Sequence, residues 1–330
     1  MSIEYKSGPL TVTSPPHLKN EETTSTIMLD VLIALLPASA WGVYVYGLRA
    51  LMIILLSIGT AVLFEAAYQF FMNMPITVKD GSAAVTGLLL ALCLPVSVSL
   101  WIVVVGTFFA IIIVKQLFGG LGKNIVNPAI AARVFLFLAW PEQMSFFTAP
   151  YTKLPLFKGV HTVDAVASAT PLASLANGEL PNAEMFDVVL GNVGGSIGEV
   201  SVIMLLAGGA YLLFRKTIRW HIPVSYIGTV ALLSFAFPMV TPVIPYTFYS
   251  IFSGGLLLGA IFMATDYVTS PVTKWGRIIY GIGCGIITVV IRNFGQYPEG
   301  VSFAIMIMNL LVWYLDMYTR PSKFGGASQK

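Results

Sequence analysis

A run of small residues between Asp164 and Leu172 presents hydroxyl groups directly before a proline. The run reads Asp-Ala-Val-Ala-Ser-Ala-Thr-Pro-Leu, so its hydroxyls belong to Ser168 and Thr170. Pro171 biases the residue before it away from helix, which places the Thr170 side chain at a turn or a helix end. The neighbouring alanines leave that hydroxyl open to a modifying enzyme. From composition alone, an ordinary polar loop with Asp164 as a helix cap is the commoner explanation.

A second polar segment, residues 119–133, lies between two apolar runs and begins with glycines. Glycines permit close approach of the backbone to a bound molecule. The charge of Lys123 and the amides of Asn124 and Asn127 suit a phosphate or the polar edge of a cofactor ring. Asp266, at the end of a later apolar run, is a further polar candidate. A tight, positively charged turn between helices explains the same pattern, and both interpretations stand.

Carboxylates are rare in or near the apolar runs, where those present are Asp30, Glu65, Glu199, Asp266 and Asp316. A charge at the centre of a bilayer costs at least ~2.5–3.5 kcal/mol, so such residues are candidates for function. Asp30 and Asp316 fall near predicted helix ends, where water reaches them, and Glu199 sits at the start of the sixth run. Glu65 lies deep in its run, with a hydrogen bond to Tyr68 or Gln69 as its expected partnership. One such residue does not define an ion path.

The elements that must position these residues are apolar runs. Hydrophobic residues make up 57% of the 330-residue chain and charged residues 10%, whereas a soluble domain carries about 25% charged residues. A membrane-crossing helix needs about 20 predominantly apolar residues. The candidate runs are 27–47, 50–72, 82–98, 100–118, 128–141, 196–214, 222–241, 247–267, 277–292 and 301–319. They predict an all-α polytopic membrane protein of about ten transmembrane helices, and the net charge of +3 is too small to favour a nucleic acid partner.

The basic residues are distributed unevenly between the two sides of these runs. With a cytoplasmic N-terminus, 14 of the 18 lysines and arginines fall in inner segments, Lys115 and Arg133 among them. Only Arg49, Lys153, Lys158 and Arg292 fall in outer segments. The positive-inside rule therefore predicts that both termini are cytoplasmic. The chain then divides into a cytoplasmic segment (1–26), a five-helix half (27–141), an extracytoplasmic loop (142–195), a second five-helix half (196–319) and a cytoplasmic tail (320–330).

A possible internal repeat connects the two halves. Residues 86–91, Thr-Gly-Leu-Leu-Leu-Ala, echo residues 254–259, Gly-Gly-Leu-Leu-Leu-Gly. Five predicted spans separate them, so the two helices run in opposite directions. This is the pattern of an inverted-topology repeat, which tends to place a site near the pseudo-symmetry axis. Chance similarity between helices rich in glycine and leucine is the alternative.

The sequence lacks the fingerprints of several other redox sites. Its two cysteines, Cys93 and Cys284, lie singly in apolar runs, which is typical of small core residues and not of a metal or iron–sulfur site. The glycine pairs 194–195 and 208–209 do not sit in the strand-to-helix context that binds a dinucleotide.

The segment around Thr170 resembles the flavinylation motif of the NqrB/RnfD family, Asp-x-x-Ser/Thr-Gly-Ala-Thr followed by Pro-Leu. The matching residues are Asp164, Ala169, Thr170, Pro171 and Leu172. Ala167 and Ser168 depart from the motif, at its hydroxyl position and its glycine position. Residues 122–129, Gly-Lys-Asn-Ile-Val-Asn-Pro-Ala, and 264–266, Ala-Thr-Asp, resemble two further family segments. Together with the helix count, the resemblance covers nearly the whole chain.

This resemblance implies two flavins. A flavin transferase would move FMN from FAD to the Thr170 hydroxyl, making a phosphoester within the motif formed by Asp164, Ser168, Ala169, Pro171 and Leu172. A second, non-covalent flavin such as riboflavin would bind in the helix bundle, with Lys123, Asn124, Asn127 and Asp266 as its candidate ligands. The resemblance implies no catalytic side chain and no metal site in this chain.

The length and the short polar start are more similar to the RnfD branch of the family, which belongs to the Rnf complex, than to the longer NqrB branch, which belongs to the Na⁺-translocating NADH:quinone oxidoreductase. The resemblance then implies a multi-pass translocase component of a prokaryotic cell (inner) membrane. The complex would couple electron transfer between ferredoxin and NAD to the translocation of Na⁺ or H⁺. Its other members would include iron–sulfur proteins and a second covalently flavinylated protein.

Two other classes of function stay open. A small-solute channel or carrier without redox chemistry suits ten spans with an inverted repeat, and the family's bundle is itself similar to urea transporters. A scaffold that merely docks redox partners is the other class. A flavin absorbance that responds to dithionite would exclude the scaffold, whereas solute movement by a flavin-free protein would favour the channel.

Overall fold

Fourteen helices and their connections make up the part of the chain that the structure, a computed structural model, describes: residues 23–152, 154–157, 169–295, 297 and 299–320. In chain order the helices are α1 Thr24–Tyr46, α2 Leu48–Phe71, α3 Ser82–Leu92, α4 Leu100–Gln116, α5 Pro128–Ala139, α6 Pro141–Ser145, α7 Pro171–Ala176, α8 Met185–Leu190, α9 Val202–Phe214, α10 His221–Ala236, α11 Val243–Phe252, α12 Leu256–Met263, α13 Lys274–Phe294 and α14 Val301–Thr319. The fold is therefore all-α, as predicted. Most of the predicted N-terminal segment and nearly all of the C-terminal tail lie outside the described residues.

The apolar helices match the ten predicted runs. Four of them, α1, α2, α13 and α14, are long and apolar enough to cross a membrane alone. The pair α11 and α12 is bent by 53° at a break, which is the geometry of a broken span or of a re-entrant loop. The apolar helices α3, α4, α5, α9 and α10 are shorter, between 10 and 17 residues. Each predicted run thus contains one helix or the bent pair, which confirms the polytopic membrane fold.

Three runs that we predicted as continuous helices are broken. Helix α3 ends at Leu92, α9 begins only at Val202, and residues 253–255 separate α11 from α12. The non-helical segments 93–99 and 195–201 are mostly buried. They meet each other, since two backbone N–H groups of the second segment donate to carbonyls at the end of α3 (Ile197 N to Leu94 O, 3.0 Å; Gly198 N to Leu92 O, 2.7 Å). Such backbone is tolerated inside a membrane protein only where protein surrounds it.

Helices that an inverted repeat would pair between the two halves pack antiparallel, as such a repeat requires, and the repeat itself stays a prediction. Helices α1 and α9 are counterparts and pack antiparallel: Asp30 contacts Tyr211 near the end of α9, whereas Tyr46 contacts Gly195 before its start. The close approach of these helices requires Gly208, because a Cβ there would lie 2.1 Å from the Ala34 carbonyl oxygen.

The counterparts α5 and α14 are also antiparallel. Phe137, near the end of α5, packs on Phe303 at the start of α14, while Asn127, before α5, lies beside Asn309 in the middle of α14. The packing of α2 on α4 is repeated in the second half by that of α10 on α13. The similarity to urea-transporter-like bundles stays a prediction.

Three basic residues that we counted with the connecting segments are buried inside the protein. The Arg49 guanidinium donates to the carbonyls of Val96 and Val98, and it is 2% exposed. Lys115 lies in α4 and Arg133 in α5, each ion-paired with a buried carboxylate. These charges take part in contacts inside the protein, so they give no information on which side of the membrane a loop lies. Without these three, 12 basic residues remain in the inner segments and 3 in the outer segments, so the inner excess persists.

Candidate functional site

Thr170 caps a short helix in the long connection between the two halves. It is the N-cap of α7, with φ −70° and ψ 150°, and Pro171 follows as the first helical residue. The Thr170 hydroxyl oxygen accepts a hydrogen bond from Ala173 N at 3.2 Å. Thr170 is half-buried and Ala169 before it is exposed. The hydroxyl therefore stands at a helix end beside accessible backbone, as the proline indicates.

The rest of α7 fastens this hydroxyl to the membrane domain. Leu172 and Leu175 are buried in a small apolar cluster together with Val188 of α8 and two tyrosines of α11, Tyr246 and Tyr249. The Tyr249 hydroxyl also donates to the Ala183 carbonyl at 2.6 Å. Of the motif residues, Asp164 and Ser168 lie outside the described residues, whereas Pro171 and Leu172 are anchors of the short helix.

Two buried polar groups face the Thr170 end of the bundle without hydrogen-bond partners among the described residues. They are the Arg292 Nη2 and the Ser253 Oγ. Ser253 lines a pocket with Thr170, and Gly254 follows it in the break between α11 and α12. A Cβ at Gly254 would lie 2.3 Å from Leu172 Cδ1 and 3.8 Å from Arg292 Nη2. The guanidinium thus reaches the place where α7 docks.

The pocket below Thr170 leads to a buried cluster of charges. Its deeper walls include Glu199 and Glu299. Arg133 Nη2 pairs with Glu199 Oε1 at 3.4 Å and also with the Glu299 carboxylate. Glu199 belongs to the buried, non-helical segment 195–201, so it precedes α9 and does not sit at the start of a helix as we predicted. Our sequence reasoning missed Glu299 and Arg292, although an arginine inside an apolar run signals a buried carboxylate partner.

A cavity opens at the opposite end of the bundle. The starts of α1 and α3, the end of α4, the start of α5 and the ends of α9 and α12 surround it. Its cavity volume is about 70 Å³, smaller than the roughly 300–1,000 Å³ of most small-molecule sites. Helix α9 runs from the Thr170 pocket to this cavity, and its 13 residues correspond to about 20 Å. The two candidate sites therefore lie on opposite sides of the bundle.

Three of the four predicted ligands of the second site line this cavity: Asn124, Asn127 and Asp266. Asn127 caps α5, accepting from Ala129 N at 3.0 Å. The Asp266 carboxylate is engaged in its own turn, accepting from the Thr269 hydroxyl at 3.0 Å. The Asn124 Oδ1 is buried and has no hydrogen-bond partner among the described residues. Asn124 is thus the group with acceptor capacity left for a bound molecule.

Lys123 does not line the cavity. Its side chain is exposed and lies over the turn at Gly119, where a Cβ would meet Lys123 Cδ at 2.8 Å. The tight-turn interpretation therefore accounts for Lys123, whereas Asn124, one residue further on, faces inward.

A buried ion pair borders the same cavity. Lys115 Nζ donates to Glu65 Oε2 at 2.8 Å and to Ser82 Oγ at 2.7 Å. Gln116 Nε2 donates to the other Glu65 oxygen at 2.8 Å. Both charged side chains are 1% exposed. Glu65 is deep, as predicted, but its partner is Lys115 and not Tyr68; Gln69 lies only at the edge of contact, at 3.5 Å.

Asp30 also differs from expectation. Its side chain is 9% exposed and accepts from Arg215 Nε at 3.1 Å and from the Tyr211 hydroxyl at 3.0 Å. The residue joins α1 to α9 and is not a water-exposed helix end. Cys93 and Cys284 are both buried free thiols, as expected of core residues, and Cys93 Sγ lies 3.9 Å from Met263 Sδ.

Comparison with known proteins gives a consistent answer along the whole chain. The model of the NQR2, RnfD, RnfE family matches residues 11–325. A relative from Acetobacterium woodii is named as the D subunit of a Na⁺-translocating ferredoxin:NAD⁺ oxidoreductase complex. It is 46% identical over 319 residues, covering 96% of this chain and 95% of the relative.

Two further relatives carry related names. The D subunit of the proton-translocating ferredoxin:NAD⁺ oxidoreductase complex of Clostridium ljungdahlii is 42% identical over 332 residues, covering 98% of each chain. The D subunit of the ion-translocating oxidoreductase complex of Escherichia coli K12 is 37% identical over 347 residues, covering 95% of this chain and 98% of the relative. Relatives named for Na⁺ and for H⁺ are thus almost equally similar to this chain.

Proposed function

The chain belongs to the NQR2, RnfD, RnfE family, and from that membership we propose that it is the RnfD component of an Rnf-type complex. The complex couples electron transfer between ferredoxin and NAD to ion translocation across a prokaryotic cell membrane. The names of relatives similar over nearly their full length carry this proposal. Those names favour RnfD over the NqrB component of a quinone reductase.

We propose further that Thr170 carries FMN through a phosphoester. Thr170 Oγ1 attacks the FMN phosphorus of FAD on a flavin transferase, loses its proton and displaces AMP. The half-buried hydroxyl at the start of α7, with exposed Ala169 before it, supports access for such an enzyme. The attached flavin supplies reversible uptake and release of electrons.

Residues around Thr170 fit an attached phosphate. The phosphodiester retains one negative charge, and Arg292 offers a buried cationic N–H that has no partner among the described residues. The Ser253 hydroxyl also has no hydrogen-bond partner among the described residues, and Ser253 lines the pocket with Thr170. A buried donor left unpaired is costly, so a phosphate oxygen near Arg292 and Ser253 would satisfy both groups.

The groups that line the cavity at the other end suit a second, non-covalent flavin, which would have to widen the cavity to enter. The polar edge of an isoalloxazine ring offers one N–H donor and two carbonyl acceptors. The unpartnered Asn124 Oδ1 suits the donor, and the apolar side chains of Met28, Leu89 and Phe262 suit the ring faces. Asn127 and Asp266 shape the wall of the cavity through their own helix cap and turn.

The function also implies partners. The sequence contains only two cysteines, both buried, and no cluster of metal-ligating side chains occurs among the described residues. We propose that iron–sulfur proteins and a second flavinylated protein of the same complex exchange electrons with this chain. The proposal places both termini in the cytoplasm and Thr170 outside, as the basic-residue count predicts.

The covalent attachment is tested by removing the hydroxyl. Thr170→Ala, coexpressed with a flavin transferase, should lose in-gel flavin fluorescence under denaturing conditions, and mass spectrometry should find the Thr170 peptide unmodified. Ser174→Ala is the matched control, because it removes a hydroxyl from the same short helix and should leave the fluorescence unchanged. Fluorescence that persists in Thr170→Ala would move the attachment to another residue, with Thr162, Ser168 and Ser174 examined next.

The second flavin is tested at two adjacent residues. Asn124→Leu should release the flavin that acid denaturation extracts from the wild-type protein, whereas Lys123→Gln should retain it, because Lys123 lies outside the cavity. The covalent flavin on Thr170 in the same samples reports whether each variant is folded. Equal loss in both variants would assign the role to the turn and not to the cavity.

A further inference from the structure

A basic pocket lies beside the cavity at the predicted cytoplasmic end. Lys216 and Arg219 in the turn between α9 and α10, and Arg277 in the first turn of α13, line it together. The hydroxyl-bearing residues Thr217 and Ser270 contribute to the same wall. Three cations and hydroxyl donors around one depression form a receptor for an anion with several oxygens.

None of these three cations forms an ion pair among the described residues. Arg277 Nε donates to the Pro271 carbonyl at 2.9 Å, and the Asp316 carboxylate lies close enough to act on its charge. Asp316 stands beside this turn, where its carboxylate accepts from Val272 N at 3.0 Å. Lys216 holds a left-handed backbone conformation, with φ +59°, which glycine adopts more readily than lysine. A charged side chain is thus displayed at a position where glycine would fit the backbone better.

An apolar groove adjoins the basic pocket. It lies between α9 and α10, and its walls include Leu206, Leu213, Val224 and Ile227. Ile218 lines both the groove and the basic pocket, so the two are continuous. A Cβ added at Gly228, in the groove wall, would meet no atom within 4 Å. The groove is therefore open along the side of the bundle.

Aromatic residues place the junction of pocket and groove at the level of lipid headgroups. Trp220, next to Arg219, is 56% exposed, and Trp275, two residues before Arg277, is 67% exposed. Exposed tryptophans concentrate where the hydrocarbon of a bilayer meets water. The basic pocket then faces the anionic surface of the cytoplasmic leaflet, and the groove faces the acyl chains.

We propose that this corner binds an anionic phospholipid, with the phosphate in the pocket of Lys216, Arg219 and Arg277 and an acyl chain in the groove between α9 and α10. Basic pockets between transmembrane helices on the cytoplasmic side are suited to anionic headgroups. The continuity through Ile218 decides the source of the phosphate, because a soluble anion would fill the pocket and leave the groove unused. The proposal does not depend on either flavin.

The test measures lipid retained by the full chain. The purified protein is exchanged into nanodiscs of phosphatidylcholine with a minor fraction of phosphatidylglycerol, extracted, and analysed by native mass spectrometry. The wild-type protein should retain phosphatidylglycerol in preference to phosphatidylcholine. The double variant Lys216→Gln/Arg219→Gln should weaken that preference by about 30-fold, from the loss of two near-surface charges. The matched control Lys79→Gln/Arg320→Gln removes two exposed charges elsewhere and should change nothing.

A second pair of variants tests the groove. Gly228→Leu fills the groove without an internal clash and should lower lipid retention, whereas Gly59→Leu adds the same side chain to another open helix position and should not. The lipid site is refuted by wild-type retention in Lys216→Gln/Arg219→Gln. It is equally refuted if inorganic phosphate displaces the lipid while Gly228→Leu has no effect, since the site would then be one for a soluble anion. Thermal unfolding of each variant separates loss of lipid from loss of fold.

Discussion

Charged side chains in this bundle occur as buried partnerships. Lys115 and Glu65 neutralise each other at 2.8 Å with 1% exposure, and Ser82 and Gln116 satisfy their remaining hydrogen-bonding capacity. Burying one ion is costly, whereas a fully bonded pair is tolerated. Each residue of the pair therefore stabilises the fold by neutralising the buried charge of the other.

Removing one member of this pair should therefore destabilise the protein more than removing both. Lys115→Met leaves Glu65 unpaired and should cost about 3–5 kcal/mol. Glu65→Gln/Lys115→Met leaves no charge at this site and should recover most of the lost stability. Thermal unfolding in detergent, followed by tryptophan fluorescence, compares the variants. A double variant as unstable as Lys115→Met would mean that the pair itself, and not its neutrality, stabilises the fold.

Ser253 allows the proposed phosphate contact to be tested without damage to the fold. Its hydroxyl has no partner among the described residues, so Ser253→Ala should leave the flavin-free protein as stable as the wild type or slightly more stable. In the flavinylated protein, the same variant should lose part of any stabilisation that the flavin confers. Unfolding temperatures with and without the transferase give the comparison, and equal effects in both forms would contradict a contact between Ser253 and the phosphate.

Among the elements, sequence predicts which segments are apolar better than it predicts their backbone conformation. The boundary between the predicted runs 27–47 and 50–72 agrees with the break between α1 and α2, which falls at Gly47 with φ +73°. The end of α3 at Leu92 and the start of α9 at Val202 were not predicted. Hydropathy reports burial, and the non-helical segments next to both residues are buried as well. The glycine-rich break between α11 and α12 was likewise included in one run. These segments are held by contacts from the other half, which a single run does not reveal.

The same limit applies to the candidate sites. The motif located Thr170, and the polar segment located Asn124 and Asn127, because local sequence determines helix caps and turns. Ser253 lies in the break between α11 and α12 and Arg292 in α13. Folding brings Ser253 into the pocket of Thr170 and Arg292 close to the neighbouring Gly254. No spacing in the sequence connects them.

The docking of α7 depends on one glycine. Gly254 has φ +70°, and a Cβ there would lie 2.3 Å from Leu172 Cδ1. Gly254→Ala should cost about 1–2 kcal/mol from the backbone alone, and it should displace α7 and lower flavin incorporation at Thr170. Gly59→Ala, at a helical position with open space, is the control and should be neutral or stabilising. Undiminished incorporation in Gly254→Ala would show that the transferase does not need α7 docked.

The whole molecule has a predicted orientation that cysteine labelling can test. Glu179, exposed in the loop after α7, should face outward, whereas Lys79 and Arg320 should face the cytoplasm. The native thiols of Cys93 and Cys284 are buried and should stay unreactive in the folded protein. A membrane-impermeant maleimide should label Glu179→Cys in intact cells, and Lys79→Cys and Arg320→Cys only after lysis. Labelling of all three in intact cells would contradict the predicted topology.

The backbone hydrogen bonds between residues 92–94 and 197–198 have a mechanical consequence. Carriers built from inverted repeats commonly work by rocking one part against another. Here a seam of two backbone hydrogen bonds joins the first half to the second, and the ion pair of Arg133 with Glu199 also connects the halves. Rocking about this seam would expose unpaired amides and charges in a dry interior, which is costly. These contacts therefore oppose rocking of one half against the other about this seam.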